Sequence, residues 1–393
     1  MVHSIFSRPE LSPTFIRDHN QEARAVWDAF KSGKPVRPPV ELGTNTQYFI
    51  FNHDLNPGES VTFEDYMTQA NVMLDFNLKA SVWRAYHIAP FCDDQIGLPD
   101  QFNIRVDVQN VDEAAYFGAP VHFIPHQVPD TLPILAGDKK NALFDQGFPD
   151  PFKAGWYTTS TRIYQEMLEY LAKHPTYMDH PVKIEPYGYW TGGIFTLAVA
   201  LRGQELLTDL YEDPQYVHDL LSYLTDATIH RVKAYHKFFD LPFPGTDLFY
   251  ADDAIQLIST KMLKQFLVPF LKQYKETVIT SPNFKIHLCG DASRHFKNLK
   301  DELGVNEFEV GFPIDFGGIR QQLGPEVTIH GGPSVMILKD GTSDEVSQET
   351  KRILSSGVLE GGKFVLREGN NLAPHTPYQN LNAMYQQARR ISY

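Results

Sequence analysis

Strand-like and helix-like segments alternate along this sequence from about residue 158 to the C terminus. After a helical pattern over residues 160–173, each extended segment is followed by apolar residues at helical spacing. The extended segments are residues 182–187, 246–250, 284–289, 308–310, 327–330 and 363–367. Strands that alternate with helices in this way pair in parallel through crossover helices. The number of units predicts an α/β fold, a closed (β/α)8 barrel of the TIM type rather than an open sheet, and the dinucleotide and phosphate-loop fingerprints of many open sheets are absent.

The residues before this alternating region predict an extension and an excursion. Residues 1–35 are predicted to form an N-terminal helical extension, because apolar residues recur at helical spacing before a turn rich in Gly and Pro. Residues 38–42 and 47–51 have the composition of short extended segments, and residues 62–87 that of a helix. Residues 89–155 are rich in Pro, Gly, Asp and Asn and predict an irregular excursion, either a lid or a peripheral subdomain. All 393 residues are expected to form one barrel domain.

Charge and cysteine content narrow the classes of function. The chain carries a formal net charge of −13, which argues against nucleic acid or an anionic membrane surface as a partner. Only Cys92 and Cys289 are present, so there is no disulfide framework, and this usage fits a reducing cytoplasm. The segment Met1–Pro9 has no apolar run long enough for export, and no segment approaches the ~20 apolar residues of a membrane-spanning helix. We therefore expect a cytoplasmic protein that does not cross a membrane.

The segment Phe284–Gly290 ends a predicted strand with two metal-ligating residue types. Side chains alternate across a strand, so His287 and Cys289 point to the same side. Zinc favours nitrogen and sulfur ligands, and a catalytic zinc usually has three protein ligands and one open position. The structural alternative is a cysteine that packs as a small hydrophobe beside a hydrogen-bonded histidine. The pair predicts two ligands of a zinc site.

In a barrel of this type, the carboxyl ends of the strands carry the chemistry. That rule selects further candidates after the other predicted strands, namely Tyr187, Trp190, Asp252, Asp253, His330, Glu368, Asn370 and Asn371. Each has a structural alternative: the aromatic residues can pack at the rim, the two aspartates can cap the next turn, and Glu368 can pair with Arg367. Glu368 is the carboxylate best placed to act as a third metal ligand.

Several motifs resemble the uroporphyrinogen decarboxylase superfamily. They are His287-Leu288-Cys289-Gly290, Ile329-His330-Gly331-Gly332-Pro333, the closing segment Gly369–Pro377, the mid-chain segments 192–203 and 210–214, and Ala251-Asp252-Asp253. The resemblance covers most of residues 160–393 and implies a (β/α)8 barrel. This agrees with the alternation of strands and helices.

Two branches of that family differ in chemistry, and the sequence resembles one of them. The decarboxylases are similar to one another in an arginine-rich N-terminal motif that grips the carboxylates of their substrate, whereas residues 38–46 contain no arginine. The other branch contains zinc-dependent methyltransferases that work with corrinoid proteins, and it is marked by His-x-Cys on this strand and a later cysteine. His287 and Cys289 match the first part, but Asn370 stands at the later position. Glu368 is therefore predicted to complete the metal site.

The resemblance implies a zinc-dependent methyltransferase that moves a methyl group from a small donor to cob(I)alamin carried by a partner protein. A ligand set richer in oxygen favours an ether or alcohol oxygen, so O-demethylation of an aromatic methyl ether is one candidate reaction. The predicted roles are proton transfer or donor orientation for Asp252, Asp253 and Tyr187, and donor contact for Trp190, His330 and Asn370. The alternatives are a uroporphyrinogen decarboxylase-like lyase, a methylcobalamin:thiol methyltransferase of the coenzyme M type, and a barrel that only binds its partner.

Overall fold

The computed structural model describes residues 11–393. The predicted absence of an export signal at Met1–Pro9 concerns residues outside this range. Within it, Pro13–Lys31 form a helix whose cap residue Ser12 accepts a hydrogen bond from the Phe15 amide. This helix buries His19, Ala23 and Val26 against the rest of the chain. Among the described residues, no helix combines the length and the apolar character that a membrane span requires.

The strands of the described chain, in order, are β1 (Phe102–Arg105), β2 (Val121–His122), β3 (Asp130–Thr131), β4 (Thr176–Tyr177), β5 (His180–Glu185), β6 (Gly245–Ala251), β7 (Ile279–Leu288), β8 (Glu307–Val310), β9 (Thr328–Gly331) and β10 (Phe364–Leu366). A five-stranded sheet has the order β10-β9-β8-β7-β6, and every pair in it is parallel. A smaller sheet joins β1 and β5 in parallel and adds the short antiparallel β4. Strands β2 and β3 form a separate two-stranded antiparallel sheet.

The helices are Pro13–Lys31, Thr46–Ile50, Phe63–Thr68, Ala70–His87, Asp112–Tyr116, Trp156–Leu171, Ile194–Arg202, Glu205–Glu212, Pro214–Phe238, Thr260–Met262, Val268–Val278, Ser293–Leu303, Phe316–Leu323, Val335–Asp340, Ser343–Leu354 and Tyr378–Arg389. A π-helical segment, Leu263–Leu267, joins two of them. Helices lie between the consecutive strands β6 to β10, as parallel pairing requires. The α/β alternation predicted from residue 158 onward is confirmed.

Single residue bridges extend both edges of the five-stranded sheet. Thr191, after β5, pairs with Tyr250 of β6, and Val40 pairs with Leu366 of β10. Around the second bridge, Glu41 N donates to Leu366 O at 2.9 Å and Leu366 N donates to Pro39 O at 2.9 Å. The early segment and the last strand therefore lie side by side. Within residues 11–393 the hydrogen-bonded strands form these separate sheets, and no continuous ring of eight strands is formed.

Two expectations from the sequence need correction. Residues 47–51 are not extended, because Thr46–Ile50 form a short helix whose cap residue Asn45 accepts a hydrogen bond from the Tyr48 amide. Residues 89–155 are less irregular than predicted, since they contain β1, which pairs in parallel with β5. That stretch contributes to a sheet as well as to loops.

The strand β7 shows how the sheet separates its two faces. Phe284, Ile286 and Leu288 are completely or almost completely buried, whereas Lys285 and His287 are partly exposed. The buried residues pack into one connected apolar core with the helices. The alternation predicted for this strand is confirmed, and it directs His287 away from the hydrocarbon core.

Candidate functional site

His287 and Cys289 converge at the carboxyl end of β7. The His287 Nε2 atom lies 3.1 Å from the Cys289 Sγ atom. Gly290 follows with φ of 66°, a left-handed conformation that favours glycine and lets the chain leave the strand at this point. Both side chains are partly exposed. The strand geometry inferred from the two-residue spacing is therefore present.

Asp253, which follows β6, joins this pair. Its Oδ1 atom accepts a hydrogen bond from the Cys289 amide at 2.7 Å. One ligand atom from each of Asp253, His287 and Cys289 lies within 4.8 Å of the other two. Because β6 and β7 are adjacent and parallel, their carboxyl ends bring these side chains together.

Glu309 on β8 orients the imidazole of His287. The His287 Nδ1 atom lies 2.8 Å from Glu309 Oε1, and Glu309 is also paired with Arg367 at 2.7 Å and with Lys285 at 3.4 Å. Burial disfavours charge on the imidazole, but the contacts with Cys289 and Glu309 outweigh it and raise the pKa of His287 to about 10. Burial likewise opposes charge on Glu309, but His287, Arg367 and Lys285 hold the pKa of that carboxyl well below its usual range. A metal ion at this site must displace the proton of His287.

These side chains open into a cavity of about 680 Å³. Apolar and aromatic side chains, several side-chain amides and a few charged groups line it. The lining residues are Gly43, Thr44, Asn45, Gln47, Gln109, Asn110, Asp112, Glu113, Ala114, Trp190, Gly192, Gly193, Thr196, Leu197, Ala200, Phe249, Ala251, Asp253, His287, Cys289, Glu309, Arg367, Asn370 and Asn371. This volume is within the range of small-molecule sites. The sequence-predicted residues that the cavity brings together are Trp190, Asp253, His287, Cys289, Asn370 and Asn371.

Asp252 lies outside this set, although it adjoins Asp253. It is fully buried, and its carboxylate accepts hydrogen bonds from the Phe195 amide at 3.1 Å and from the Thr196 amide at 2.8 Å. The Thr196 and Tyr250 hydroxyls donate to it as well. Burial raises the pKa of Asp252 to about 6, although these hydrogen bonds lower it. Asp252 thus holds the start of the helix Ile194–Arg202, whereas the predicted alternative, a cap on the following turn, is not formed, because the segment Asp253–Leu257 has no side-chain cap.

Tyr187 and His330 are also held in buried surroundings. Tyr187 is almost completely buried, packs against Tyr235, and donates its hydroxyl to Thr161 at 3.2 Å. His330 lies between two carboxylates, with Nε2 2.8 Å from Glu307 and Nδ1 3.2 Å from Glu41. Neither residue lines the cavity beside His287. Their predicted contacts with a substrate stay predictions.

Both carboxylate oxygens of Glu368 already have partners within the protein. Its two oxygens accept the Gly43 amide at 3.0 and 3.1 Å, and Oε1 pairs with Arg367 at 2.7 Å. Burial raises the pKa of Glu368 to about 7, against the opposing effect of Arg367. The structure groups Asp253, not Glu368, with His287 and Cys289. The assignment of Glu368 as a ligand stays a prediction that this geometry does not favour.

Two charged residues at the site were not selected from the sequence. Glu309 contacts His287, and Arg367 holds both Glu309 and Glu368. Glu309 lies near the end of the predicted strand 308–310, so the strand-end rule could have selected it. Arg367 was noted only as a partner for Glu368. Its role as a bridge between the ends of β8 and β10 depends on a long-range contact that local patterns do not reveal.

The chemistry of the three donor atoms fits a zinc ion. An imidazole nitrogen, a thiolate sulfur and a carboxylate oxygen are all zinc ligands. The three residues line the cavity, so a substrate that enters it would have access to a metal held there. Glu309 supplies the hydrogen bond to the second imidazole nitrogen that metal-ligating histidines usually have.

The fold and the site define an α/β protein with a parallel sheet and, at the strand ends, a group of side chains that could hold a metal ion. The chain belongs to the uroporphyrinogen decarboxylase (URO-D) family, whose model matches residues 185–391. Family membership implies a TIM-type barrel. The predicted family is therefore confirmed.

Named relatives of the chain come from both branches of that family. The chain is 23% identical over 205 residues to the methylcobamide:CoM methyltransferase MtbA of Methanosarcina acetivorans, a match that covers 51% of this chain and 57% of the relative. It is 25% identical over 227 residues to the uroporphyrinogen decarboxylase of Coxiella burnetii, covering 55% of this chain and 60% of that one. The chain thus spans less than two thirds of these relatives. A solved methyltransferase from Methanosarcina mazei shares the fold, with a TM-score of 0.61, 17% identity and coverage of 94% of this chain and 98% of that chain. The matches to methyltransferases are consistent with the corrinoid methyltransferase branch.

Proposed function

We propose that this protein is a zinc-dependent methyltransferase that moves a methyl group from a small donor to cob(I)alamin on a corrinoid protein. The observation that carries the proposal is the convergence of Asp253, His287 and Cys289 at the edge of an accessible cavity. The relatives named as methylcobamide methyltransferases support the same class of reaction. The (β/α)8 barrel is part of this proposal, with the cavity at its carboxyl-end mouth.

Different residues of the chain would have different roles at this site. His287, Cys289 and Asp253 would hold the metal, and Glu309 would fix the orientation of His287. Trp190, which lines the same cavity, would limit where a donor can lie. A bound zinc ion would supply Lewis acidity for the oxygen that loses the methyl group.

The net transfer is balanced in atoms and charge. The carbon–oxygen bond of the donor breaks and its electron pair stays on the oxygen, while an electron pair of cob(I)alamin forms the new cobalt–carbon bond. The oxygen then takes one proton and leaves as a phenol or alcohol. An aromatic methyl ether is the donor class that we favour, because a phenolate is a better leaving group than a simple alkoxide.

A thiol methyltransferase is the second candidate, because the relatives from Methanosarcina carry that activity in their names. In that reaction a thiol would receive the methyl group from methylcobalamin. The carboxylate of Asp253 makes the ligand set richer in oxygen than a set with two cysteines, which favours an oxygen-containing donor. A decarboxylase-like reaction on a polycarboxylate is supported less well, since Arg367 is the one arginine or lysine among the described residues that line the cavity.

Zinc content and methyl transfer test the proposal together. We expect about one zinc per purified chain, measured by mass spectrometry of the metal, and its loss in His287→Ala and Cys289→Ala. Cys92→Ala is the matched control, because Cys92 is buried away from the cavity and should leave zinc content unchanged. Methyl transfer is then followed by the methylcobalamin absorbance with reduced corrinoid protein and a panel of methyl donors. Full turnover by metal-free protein would contradict the proposal, and transfer only from methylcobalamin to a thiol would select the second candidate.

A further inference from the structure

We propose that the cavity selects an uncharged donor with a flat apolar part and at least one hydroxyl or ether oxygen, and that it discriminates against carboxylated analogues. This inference rests on the proposed methyl transfer, since it names the class of donor. It comes from the charges, amides and rings that line the cavity of about 680 Å³.

Away from the metal site, the described lining residues offer no free cation to an anionic ligand. Among the described lining residues, Arg367 is the one arginine or lysine. One terminal nitrogen of its guanidinium pairs with Glu309 at 2.7 Å and the other with Glu368 at 2.7 Å. Because both nitrogens already have carboxylate partners, a donor carboxylate that lies away from the metal site would have to enter the cavity without a counter-ion, which is costly.

Two further carboxylates line the cavity, and both have partners within the protein. Glu113 is paired with the buried Arg231, and its second oxygen accepts the Gly192 amide at 2.6 Å. Asp112 is buried beside it and accepts the Tyr157 hydroxyl at 2.6 Å. Since these carboxylates already have partners, they leave no unpaired negative charge to attract a cationic donor.

Neutral hydrogen-bonding groups are available in the same cavity. The side-chain amides of Gln47, Asn110, Asn370 and Asn371 make no hydrogen bond within residues 11–393. An amide can donate to and accept from a hydroxyl or an ether oxygen without adding charge. Polar recognition in this cavity therefore depends on dipoles rather than on ions.

An aromatic surface lies beside the metal-ligating residues. Phe249, on β6, is 43% exposed. Its centroid lies 6.5 Å from that of His287. Trp190 lines the same cavity. These two rings provide apolar faces against which a flat donor can pack near the metal site.

Binding affinity tests the inference without requiring turnover. The probes are 2-methoxyphenol and 4-hydroxy-3-methoxybenzoate, which differ by one ring carboxylate. Titration calorimetry on the zinc-loaded and the metal-free protein should give at least tenfold tighter binding of 2-methoxyphenol in both forms. Equal or tighter binding of the carboxylated probe, or no binding of either, would overturn the inference. Tighter binding of the cationic analogue 4-(2-aminoethyl)-2-methoxyphenol than of 2-methoxyphenol would overturn it as well.

A charge-insertion variant sharpens the test. Asn370→Lys places an unpaired cation in the cavity and should reduce the preference for 2-methoxyphenol at least fivefold or reverse it. Gln47→Lys is a second position if that variant does not fold. Asn71→Lys adds the same charge in a separate surface groove and should leave the preference unchanged. An unchanged preference in both folded cavity variants would contradict the inference.

The outcome can be separated from that of the proposed function. If 2-methoxyphenol binds preferentially but no panel donor yields methylcobalamin, the proposed reaction fails and the binding preference stands. If a carboxylated donor binds preferentially and is demethylated, the reaction stands and the charge selection fails.

Discussion

The carboxyl ends of β7 and β10 carry ionisable residues in opposite situations. At the end of β7, His287 and Cys289 are partly exposed and share their surroundings with Asp253 at the edge of a cavity. At the end of β10, Glu368 is fully buried and bonded to Gly43 and Arg367. Both positions satisfy the rule that barrel chemistry lies at strand ends. The contrast indicates that such a side chain is available for chemistry only if the protein has not already supplied its partners.

The largest expected effect distinguishes the two candidates for the third zinc ligand. Asp253→Asn should weaken zinc binding by about a thousandfold, roughly 4 kcal/mol, because the amide keeps the hydrogen bond to Cys289 but loses the charge. Glu368→Gln should change zinc affinity less than threefold. Competition with a chromophoric chelator measures both affinities. If Glu368→Gln weakened zinc binding more than Asp253→Asn, Glu368 would be identified as the ligand, and the contrast between the two strand ends would not hold.

The second effect is the pH dependence of stability. The pKa of Glu368 is raised to about 7 in the folded protein, from 4.5 in a free side chain. The folded protein therefore keeps a proton that the unfolded chain releases, so this group contributes stability below pH 4.5 that is lost as the pH rises to about 7. In Glu368→Gln, the fall in the free energy of unfolding with rising pH should be smaller than in wild type by up to about 3 kcal/mol.

Urea unfolding of metal-free protein at pH 5 and at pH 8 measures this difference. The matched control is Glu326→Gln, since the Glu326 side chain is 88% exposed and should leave the dependence unchanged. The same difference in unfolding free energy between pH 5 and pH 8 in wild type and in Glu368→Gln would show that Glu368 is ionised throughout and is not held as described.

The third effect concerns the neighbouring aspartates of β6. Asp252→Ala should lower the free energy of unfolding by about 2 kcal/mol, because it removes a helix cap and leaves buried amides without an acceptor. Zinc affinity of the folded variant should stay within threefold of wild type. Thermal or urea unfolding, together with metal titration, measures both quantities. A stable Asp252→Ala protein that binds zinc normally but transfers no methyl group would return Asp252 to a catalytic role.

The smallest effect concerns Tyr187. Tyr187→Phe removes one hydrogen bond to Thr161 and should cost about 1 kcal/mol of stability. Methyl-transfer rates should not change, because the hydroxyl is buried and does not line the cavity. A tenfold loss of rate without a loss of stability would contradict this and support the catalytic role predicted from the sequence.

Local sequence patterns were sufficient to predict most of the five-stranded sheet and the placement of His287 and Cys289 at the site. The two-residue spacing of His287 and Cys289 on a strand was enough to place both side chains on one face. The strands around β6 to β10 follow from apolar segments flanked by helical spacing. These features depend on residues that are close in sequence, which is why they could be predicted.

Features that depend on distant residues could not be predicted in the same way. Asp252 and Asp253 are adjacent and chemically identical, but one is buried by the helix Ile194–Arg202 and the other faces the cavity. The aromatic segment 47–51 has strand-like composition, but the cap at Asn45 and tertiary packing favour a helix. The strand β1 was missed because its four residues lie in a stretch dominated by turn-forming residues.

The pairing of the segment around Val40 with β10 has a consequence for synthesis of the chain. Gly43 and Glu368, which hydrogen bond to each other, lie 325 positions apart in the sequence. A ribosome must therefore produce almost all of this chain before the early segment can meet its neighbour. Until then Val40 and Leu42, which become buried, remain without their final contacts. Such late closure lengthens the interval in which a nascent polypeptide can associate with itself or with a chaperone.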